Sequence, residues 1–259
     1  MPDQKIVGVV VPTLFKRNPY LKKSLESVRA FSQAHIVILG PQPEKNASGL
    51  SGLYDQLVDE PKTKSLSAKL NYALRELPEE IEFLTWLGDD DLIEPLAFGR
   101  ACEALKNDNL LTLAYGGCTY IDSFDREIGK NHSWGKAISF SKLGPFLAPQ
   151  PGSVFRRTAF DRLGGLDENL ELAFDYDLFL RLHQVGKVLF TNEIMSSFRW
   201  HPESLSVSQR KHSALEASRV RLKNSRGFIH FLVIGLNPII FGLTILAAKF
   251  VHIRMRFRR

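Results

Sequence analysis

The most informative stretch of this chain is an apolar run followed by three consecutive carboxylates. It reads Phe83-Leu84-Thr85-Trp86-Leu87-Gly88-Asp89-Asp90-Asp91-Leu92-Ile93-Glu94-Pro95. The first five residues have the length and composition of a buried strand, and the proline opens a predicted helix. In an extended backbone, Asp89 and Asp91 point to the same side and Asp90 points to the other.

The three adjacent carboxylates favour a bound cation at the end of this strand. Like charges repel one another and lose hydration when they are partly enclosed. Mg²⁺ or Mn²⁺ takes one or two protein carboxylates and completes its shell with water and substrate phosphates. On the triplet alone, a solvated turn with an Asp N-cap before the Pro95 helix is an equally good interpretation.

The composition is that of a folded protein with reduced cysteines. A chain of 259 residues can form one large α/β domain or two small ones. The 44% hydrophobic and 24% charged residues exclude wholesale disorder. Cys102 and Cys118 lie in apolar surroundings without ligand spacing, as core thiols in a reducing compartment do. The chain enters a strand almost at once, so we expect no signal peptide.

Positive charge is concentrated at the C-terminal end. From Arg210 onward the chain has eleven Lys/Arg and one Glu, and the total of +6 less this +10 leaves −4 for the rest. A nucleic-acid binder would carry its positive charge on the folded face, so we expect no nucleic-acid partner. A basic and apolar tail instead fits attraction to anionic lipid.

The N-terminal third predicts a βαβ unit. Residues 6–11 form a continuous apolar run, typical of a central parallel strand, and an amphipathic helix opens at Pro19. A second strand follows at residues 36–39. Ligands of such folds lie beyond the carboxyl ends of the strands, so the loops after Val11, Leu39 and Leu87 should share one rim. The predicted fold is α/β, with a mostly parallel central sheet flanked by helices.

The rest of the chain alternates helices and strands less regularly. Residues 40–63 are rich in Pro, Gly and Ser and predict a long loop with at most one helical turn. Strands are expected at 110–115, 187–191 and 196–201, with a hairpin around 123–126. A Gly164-Gly165 pair should end a short helix in a left-handed cap. Asp175 and Asp177 lie in the first turn of a predicted helix, where acids complement the helix dipole; this is the structural alternative to a catalytic role.

Several of these fragments occur in one order that resembles family 2 glycosyltransferases with the GT-A fold. The matching fragments, within residues 5–206, are Val9-Val10-Val11-Pro12-Thr13, Ala68-Lys69-Leu70-Asn71, Trp86-Leu87-Gly88-Asp89-Asp90-Asp91, Phe155-Arg156-Arg157, Gly164-Gly165-Leu166-Asp167-Glu168, Asp175-Tyr176-Asp177-Leu178-Phe179-Leu180-Arg181-Leu182 and Arg199-Trp200-His201-Pro202. The resemblance implies a nucleotide-diphospho-sugar transferase fold, a divalent cation (Mg²⁺ or Mn²⁺) at the acidic motif, and sugar transfer with inversion at the anomeric carbon.

The resemblance also implies roles for individual residues. The nucleotide-sugar donor would contact Pro12, Thr13, Lys69, Asn71, Asp89 and Asp90. Asp91 would be the main metal ligand. The residues themselves add Asp89, on the same side of the predicted strand, and His201, which follows a strand that can return to the cleft; a loop histidine beside Pro202 is an equally good interpretation of His201. Asp175 occupies the place of the general base. The chemistry requires both sites, because a Lewis acid stabilises the leaving diphosphate and a carboxylate removes the proton of the attacking hydroxyl.

The chain departs from the family pattern at three places. The second strand ends in Leu39-Gly40-Pro41-Gln42, without the aspartate that commonly holds the base of the nucleotide. Phe174 replaces the usual acid before the general base. Ser196-Ser197-Phe198-Arg199-Trp200 keeps only the last two residues of the Gln-x-x-Arg-Trp motif of processive members, so we expect one transfer per encounter.

The C-terminal segment predicts a membrane anchor. Residues 228–248 are long and apolar enough to cross a bilayer, but both flanks are basic, which opposes a full crossing. A bend at Asn237-Pro238 would fold the segment into a shallow hairpin, so we expect a re-entrant or interfacial segment rather than a spanning one. A buried helix packed on the domain or on a second copy is the alternative. The expected divisions are a transferase domain at 1–207, a basic linker helix at 208–226, and a hydrophobic membrane-associating segment with a basic tail at 227–259.

Together these features predict a metal-dependent inverting glycosyltransferase at the cytoplasmic face of a membrane, the inner membrane in a bacterium. Its acceptor would be a lipid-linked or surface-polysaccharide glycan. One alternative is a non-catalytic nucleotide-sugar binder or membrane scaffold, suggested by Phe174 and the missing base-reading acid. A sugar nucleotidyltransferase is disfavoured, since the loop at 12–18 contains no glycine for a phosphate-binding turn.

Overall fold

A computed structural model describes residues 4–63, 65–200 and 209–256. The strands of this part of the chain are β1 Val7–Pro12, β2 Ala34–Gly40, β3 Gln56–Asp59, β4 Phe83–Trp86, β5 Leu92–Ile93, β6 Leu111–Ile121, β7 Glu127–Asn131, β8 Val154–Arg156 and β9 Lys187–Arg199. The helices are α1 Asn18–Arg29, α2 Pro43–Asn46, α3 Leu66–Arg75, α4 Pro95–Asn107, α5 Ala137–Ser141, α6 Arg157–Arg162, α7 Phe174–Val185, α8 Arg210–Lys223 and α9 Gly227–Arg256.

The strands form one mixed sheet in the order β3-β2-β1-β4-β8-β6-β9-β5, with β7 paired to β6. The half containing β3, β2, β1 and β4 is parallel, as the predicted βαβ unit requires. β8 is antiparallel to both β4 and β6, whereas β9 is parallel to β6. The carboxyl ends of β1, β2 and β4 therefore meet at one rim, which confirms the predicted α/β fold and the shared rim of its loops.

Hydrophobic residues cover both faces of the sheet. Val9 and Val11 pack with α1 and α4 on one face, and Val10 packs with α3 and α7 on the other. All three side chains are fully buried. A strand buried on both sides needs apolar residues at every position, which is why β1 appears in the sequence as a continuous run rather than an alternation.

Tertiary pairing decides three elements that the local sequence did not. The predicted loop at 40–63 contains the short helix α2 and the edge strand β3, which pairs with β2 from Val37 to Gly40. The strand predicted at 110–115 continues to Ile121 as β6. Two predicted strands after residue 186 are one strand, β9, because β6 offers it a partner along almost its whole length.

The C-terminal helix α9 is continuous, so the predicted hairpin at Asn237-Pro238 is wrong. Pro238 lies inside the helix, where it costs one backbone hydrogen bond without reversing the chain. Among the described residues, 227–246 form one helix long and apolar enough to cross a membrane. Its buried residues include Val233 and Asn237, whereas most of its large apolar side chains are exposed.

The Gly164-Gly165 pair ends α6 as predicted. Both residues have left-handed backbones, with φ of 79° and 85°. A Cβ added at Gly165 would lie 2.7 Å from Oδ1 of Asn71, whereas one added at Gly164 would meet nothing within 4 Å. Gly164 is therefore required only because its backbone is left-handed. Gly165 is required for the same reason and also because a side chain there would clash with Asn71.

Alanine substitutions should separate these two requirements. G164A is expected to lower the free energy of unfolding by about 1 kcal/mol through the left-handed backbone. G165A should lower it by about 2–4 kcal/mol, because overpacking against Asn71 is added to the same backbone cost. Urea denaturation measures both values, and equal losses for the two variants would contradict the role of the Asn71 contact.

Candidate active site

A cleft of about 1280 Å³ opens at the carboxyl ends of β1, β2 and β4. One side is formed by the loop after β1, the start of α3 and the acidic turn after β4. A second side is formed by the loop at 145–151, the start of α7, and parts of α8 and α9. The predicted site residues that line it are Pro12, Thr13, Lys69, Asp89, Asp90, Asp91 and Asp175. The metal and base candidates therefore face the same cavity.

Asp91 lies at the base of the acidic turn, with only 5% of its surface exposed. Its backbone N–H donates to the Gly88 carbonyl, and its Oδ1 accepts the backbone N–H of Arg199 at 2.9 Å. Burial raises the pKa of Asp91 well above its usual value, and the charges of Asp90 and Asp89 raise it further. The fold thus holds a carboxylate where negative charge is unfavourable, a position that a cation would stabilise.

The two preceding aspartates are tied to the loop after β1. Thr13 Oγ1 donates to Asp89 Oδ2 at 2.7 Å, and Arg17 forms an ion pair with Asp90. These contacts fix the acidic turn against the β1 loop. They also leave Asp91 as the member of the triplet that lies deepest in the fold.

Arg199, at the end of β9, holds the same turn in place, a role that the sequence did not suggest. It ends β9, is 1% exposed, and donates through Nε to the Asp90 carbonyl at 2.9 Å. Its guanidinium also contacts the Asp122 carbonyl, forms an ion pair with Asp125 at 2.6 Å, and lies 4.3 Å from the centre of the Tyr20 ring. The Arg199-Trp200 pair was the available signal, but its partners lie 74 or more positions away in the sequence.

The donor set fits a divalent cation that is bound together with a substrate. Within the described residues, no group of three His, Cys, Asp or Glu side chains is arranged to hold a metal ion. Asp91 is buried beside two other acids, and only its Oδ1 accepts the Arg199 N–H. One carboxylate completed by phosphate oxygens and water is a normal environment for Mg²⁺. His201, the late candidate ligand, lies outside the described residues.

Asp175 is the second residue of α7 and lines the same cleft as Asp91. Its Oδ1 accepts the Tyr176 N–H at 2.7 Å. Burial raises the pKa of Asp175 to about 6, an effect that the nearby charge of Glu216 reinforces and the Tyr176 N–H opposes. A carboxylate with this pKa is mostly ionised at neutral pH and is more basic than an exposed aspartate, which suits proton abstraction.

The residue before Asp175 is buried rather than acidic for a structural reason. Phe174 is 6% exposed, and its ring centre lies 5.7 Å from that of Trp86 at the end of β4. An acid here would have to be buried against the indole. At position 174 the chain therefore has a phenylalanine that packs on Trp86 in place of the acid that the family pattern would have there.

Lys69 and Asn71, predicted side by side, have different positions. Lys69 lines the cleft and forms an ion pair with Glu60 at 2.5 Å, and Glu60 lines the cleft as well. Asn71 is not among the cleft residues. Its amide accepts the Leu166 N–H at 2.8 Å and donates to the Leu166 carbonyl and to Glu168, so it fixes the turn after α6. Glu60, just after β3, donates its backbone N–H to the Gly40 carbonyl at 3.2 Å, so it lies beside the end of β2, where the sequence lacks the base-reading aspartate.

Helix α8 contributes to the cleft wall, although the sequence predicted a linker helix there. Ser213, Ala214, Ala217 and Arg221 line the cavity. Arg221 is 2% exposed and donates through Nε to Asn237 Oδ1 at 2.7 Å, which docks α9 on α8. Thr244 and Ile245 of α9 also line the cleft. The apolar helix is therefore part of the site.

No family model matches the chain. It is 24% identical over 225 residues to an uncharacterised glycosyltransferase of Rickettsia conorii, covering 80% of this chain and 36% of that protein. A Rickettsia typhi relative is 24% identical over 213 residues, covering 76% and 64%. A hyaluronan synthase of Pasteurella multocida is 26% identical over 127 residues, covering 49% and 13%. The chain thus spans between about a third and two thirds of the length of these Rickettsia relatives.

Solved structures show the same fold. A mannosyltransferase from Pyrobaculum calidifontis, in complex with GDP-Man and Mn²⁺, has a TM-score of 0.65 at 15% identity, covering 96% of this chain and 76% of that one. Residues 1–349 of TarS from S. aureus, in complex with UDP-GlcNAc, have a TM-score of 0.61 at 12% identity, covering 87% and 69%. The GT-A-like architecture expected from the sequence is confirmed.

Replacing Asp91 by asparagine should separate its charge from its shape. D91N keeps an oxygen that can accept the Arg199 N–H and removes a buried charge next to Asp89 and Asp90, so the metal-free variant should melt at or above the wild-type temperature. The wild type should gain roughly 5–10 °C with Mn²⁺ and a nucleoside diphosphate at 100 times their Kd, and D91N should lose this gain.

Scanning fluorimetry with and without Mn²⁺ measures both effects. D161N is the matched control, because Asp161 is an exposed acid on α6 that does not line the cleft. Retention of the full Mn²⁺-dependent gain by D91N would exclude Asp91 as a metal ligand.

Proposed function

We propose that this chain, which belongs to the glycosyltransferases of the GT-A fold, transfers a single sugar from a nucleotide-diphosphate sugar to an acceptor hydroxyl with inversion of configuration. One observation carries the proposal: Asp91, in the turn after β4, and Asp175, at the start of α7, line the same cleft. An inverting transfer needs charge stabilisation at the leaving group and a base on the opposite face of the sugar, and two carboxylates from distant parts of the chain in one cleft can supply both.

The donor would occupy the side of the cleft formed by the parallel half of the sheet. Pro12, Thr13 and Leu39 offer a largely apolar surface for the nucleoside, beside the Glu60–Lys69 pair. Glu60 can accept a hydrogen bond from the nucleobase or ribose, while Lys69 holds the carboxylate in place. We propose that this pair takes over the role of the aspartate that is missing after β2.

The acidic turn would hold the diphosphate through a metal ion. Asp91 would be the protein ligand, with Asp89 available as a second. A bound Mg²⁺ or Mn²⁺ supplies Lewis-acid stabilisation of the charge that grows on the leaving diphosphate. Arg199 and Thr13 keep the turn rigid, so the carboxylates do not have to reorganise when the donor binds.

Asp175 would act on the acceptor. As the acceptor oxygen attacks the anomeric carbon, its proton passes to the Asp175 carboxylate while the bond from that carbon to the diphosphate oxygen breaks. The pKa of about 6 keeps the base ionised at neutral pH. The rate should therefore rise with pH through about 6 and level off above it.

The acceptor side of the cleft favours a lipid-linked acceptor. Its wall includes Phe146, Leu147, Ala217 and Ile245, and Ile245 belongs to the apolar helix α9. Between residues 227 and 246, α9 exposes large apolar side chains such as Phe231 and Leu243. A helix of this kind inserted in a membrane would place the opening beside Asp175 near the lipid surface, on the cytoplasmic side if the basic flanks stay inside.

Replacing Asp175 by asparagine should abolish transfer without weakening donor binding. We expect D175N to lose at least 100-fold in turnover, since general-base catalysis contributes about 10²–10⁴-fold. The Kd for the nucleoside diphosphate with Mn²⁺ should stay within about two-fold, because the donor lies on the other side of the cleft. Isothermal titration and a transfer assay with a panel of acceptors measure the two quantities.

D177N is the matched control for protein integrity, because Asp177 lies on the same helix turn but is committed to Arg181 and Lys223. It should lower stability rather than change the pH at which the rate rises. Full turnover by D175N would rule out this base, and donor binding without turnover by the wild type would favour a non-catalytic binder.

Charge placed on the exposed face of α9 should release the protein from membranes. F231E and L243E are each expected to weaken binding to vesicles of phosphatidylcholine and phosphatidylglycerol by at least ten-fold, since a charge in a membrane helix costs about 2.5–3.5 kcal/mol. L110E is the matched control, because Leu110 is similarly exposed but precedes β6. Release of the full-length wild type by carbonate washing would contradict insertion.

A further inference from the structure

We infer that Glu216 on α8 is a positioning residue for Asp175, fixing the backbone from which the base projects and supplying the negative charge that tunes it. The inference rests on the proposed function for its catalytic meaning. Its structural content can be tested without any turnover.

Glu216 binds the segment that leads directly into α7. It is 2% exposed, and its two carboxylate oxygens accept the backbone N–H groups of Glu171, Leu172 and Ala173 at 3.0, 2.8 and 2.9 Å. Ala173 is the N-cap residue of α7 and offers no side-chain cap of its own. A carboxylate from another helix therefore satisfies three backbone donors at this end, where negative charge is also favoured by the helix dipole.

The connection from Glu216 to Asp175 is short. Asp175 follows Ala173 by two residues, so its position depends on the backbone that Glu216 holds. Loss of these bonds would free the segment and leave buried N–H groups without partners. The expected result is a base that still exists but is no longer aimed consistently at the acceptor.

The same carboxylate acts on Asp175 through its charge. Glu216 is one of the causes that raise the pKa of Asp175, after burial. Other charged groups lie close to this pair in space or in the chain. His212 Nε2 lies 3.6 Å from Glu216, and its Nδ1 lies 3.8 Å from Glu171. Arg221 and Asp91 line the same cleft as Asp175, and Asp177 follows Asp175 by two residues on α7. Removing the charge of Glu216 alone should lower the pKa of Asp175.

Two substitutions separate position from charge. E216Q removes the charge and disturbs the backbone bonds, because an amide has one acceptor oxygen instead of two. E216D keeps the charge and shortens the reach. E193Q is the matched control. Glu193 is an exposed acid on β9 that pairs with Arg100 of α4 and does not line the cleft.

The experiment titrates the Asp175 carboxyl directly in the full chain. Carboxyl ¹³C signals of ¹³C-aspartate-labelled protein are followed against pH, with D175N to assign the signal, and the pH–rate profile is recorded in parallel. We expect E216Q to lower the pKa of Asp175 by roughly 0.5–1 unit, to move the rising limb of the rate to lower pH by the same amount, and to lower kcat about ten-fold. E193Q should change neither quantity.

The outcomes distinguish this inference from the proposed function. E216D should lower kcat, while the pKa of Asp175 in this variant should stay within about 0.3 units of the wild-type value. If E216Q does not fold, E216D alone decides, and an unchanged kcat in E216D overturns the inference. An unchanged Asp175 pKa in folded E216Q also overturns it. If the wild type transfers no sugar from any donor, the proposed function fails, while the carboxyl titration still decides whether Glu216 acts on Asp175.

Discussion

The burial of one carboxylate at the end of β4 is the constraint on which the rest of the site depends. Asp91 is enclosed by the sheet with two further acids beside it, and burial and repulsion both disfavour its charge. The fold accepts this cost by holding the acidic turn from two directions, through Thr13 and Arg17 on the β1 loop and through Arg199 at the end of β9. A turn held in this way cannot relax outward to hydrate its charges, so it remains suited to a cation.

The opposite side of the cleft is organised by backbone groups rather than by charge pairs. The start of α7 carries Asp175, and the N–H groups before it are accepted by Glu216 from α8. α8 in turn holds α9 through Arg221 and Asn237. The base candidate and the apolar helix are thus joined by a single intervening helix. A segment that resembles a linker in sequence therefore has a defined structural task.

The two sides of the cleft differ in chemical character. The side under the parallel strands carries the acidic turn and the Glu60–Lys69 pair, whereas most of the residues that the loop at 145–151, α8 and α9 contribute to the other side are apolar. A polar nucleotide and a more apolar acceptor would each find a matching surface. Phe174 packs on Trp86 where the two sides meet, and this contact explains why a hydrophobic residue precedes Asp175.

The sequence by itself determined the elements whose signals are local. The continuous apolar run of β1, the buried strand β4 and the left-handed glycines after α6 all follow from residue type and spacing, and the structure has them where they were predicted. The three aspartates, expected at the end of an extended strand, lie instead in a turn that begins after Trp86. Tertiary structure decided what depends on a distant partner. β3 exists because β2 offers an edge, β9 is one strand because β6 is long, and α9 runs straight through Pro238. The roles of Arg199 and Glu216 were decided in the same way. Their backbone partners lie more than forty positions away in the sequence, and a residue that contributes only its backbone N–H or carbonyl to a hydrogen bond can be of any type, so it leaves no pattern in the sequence.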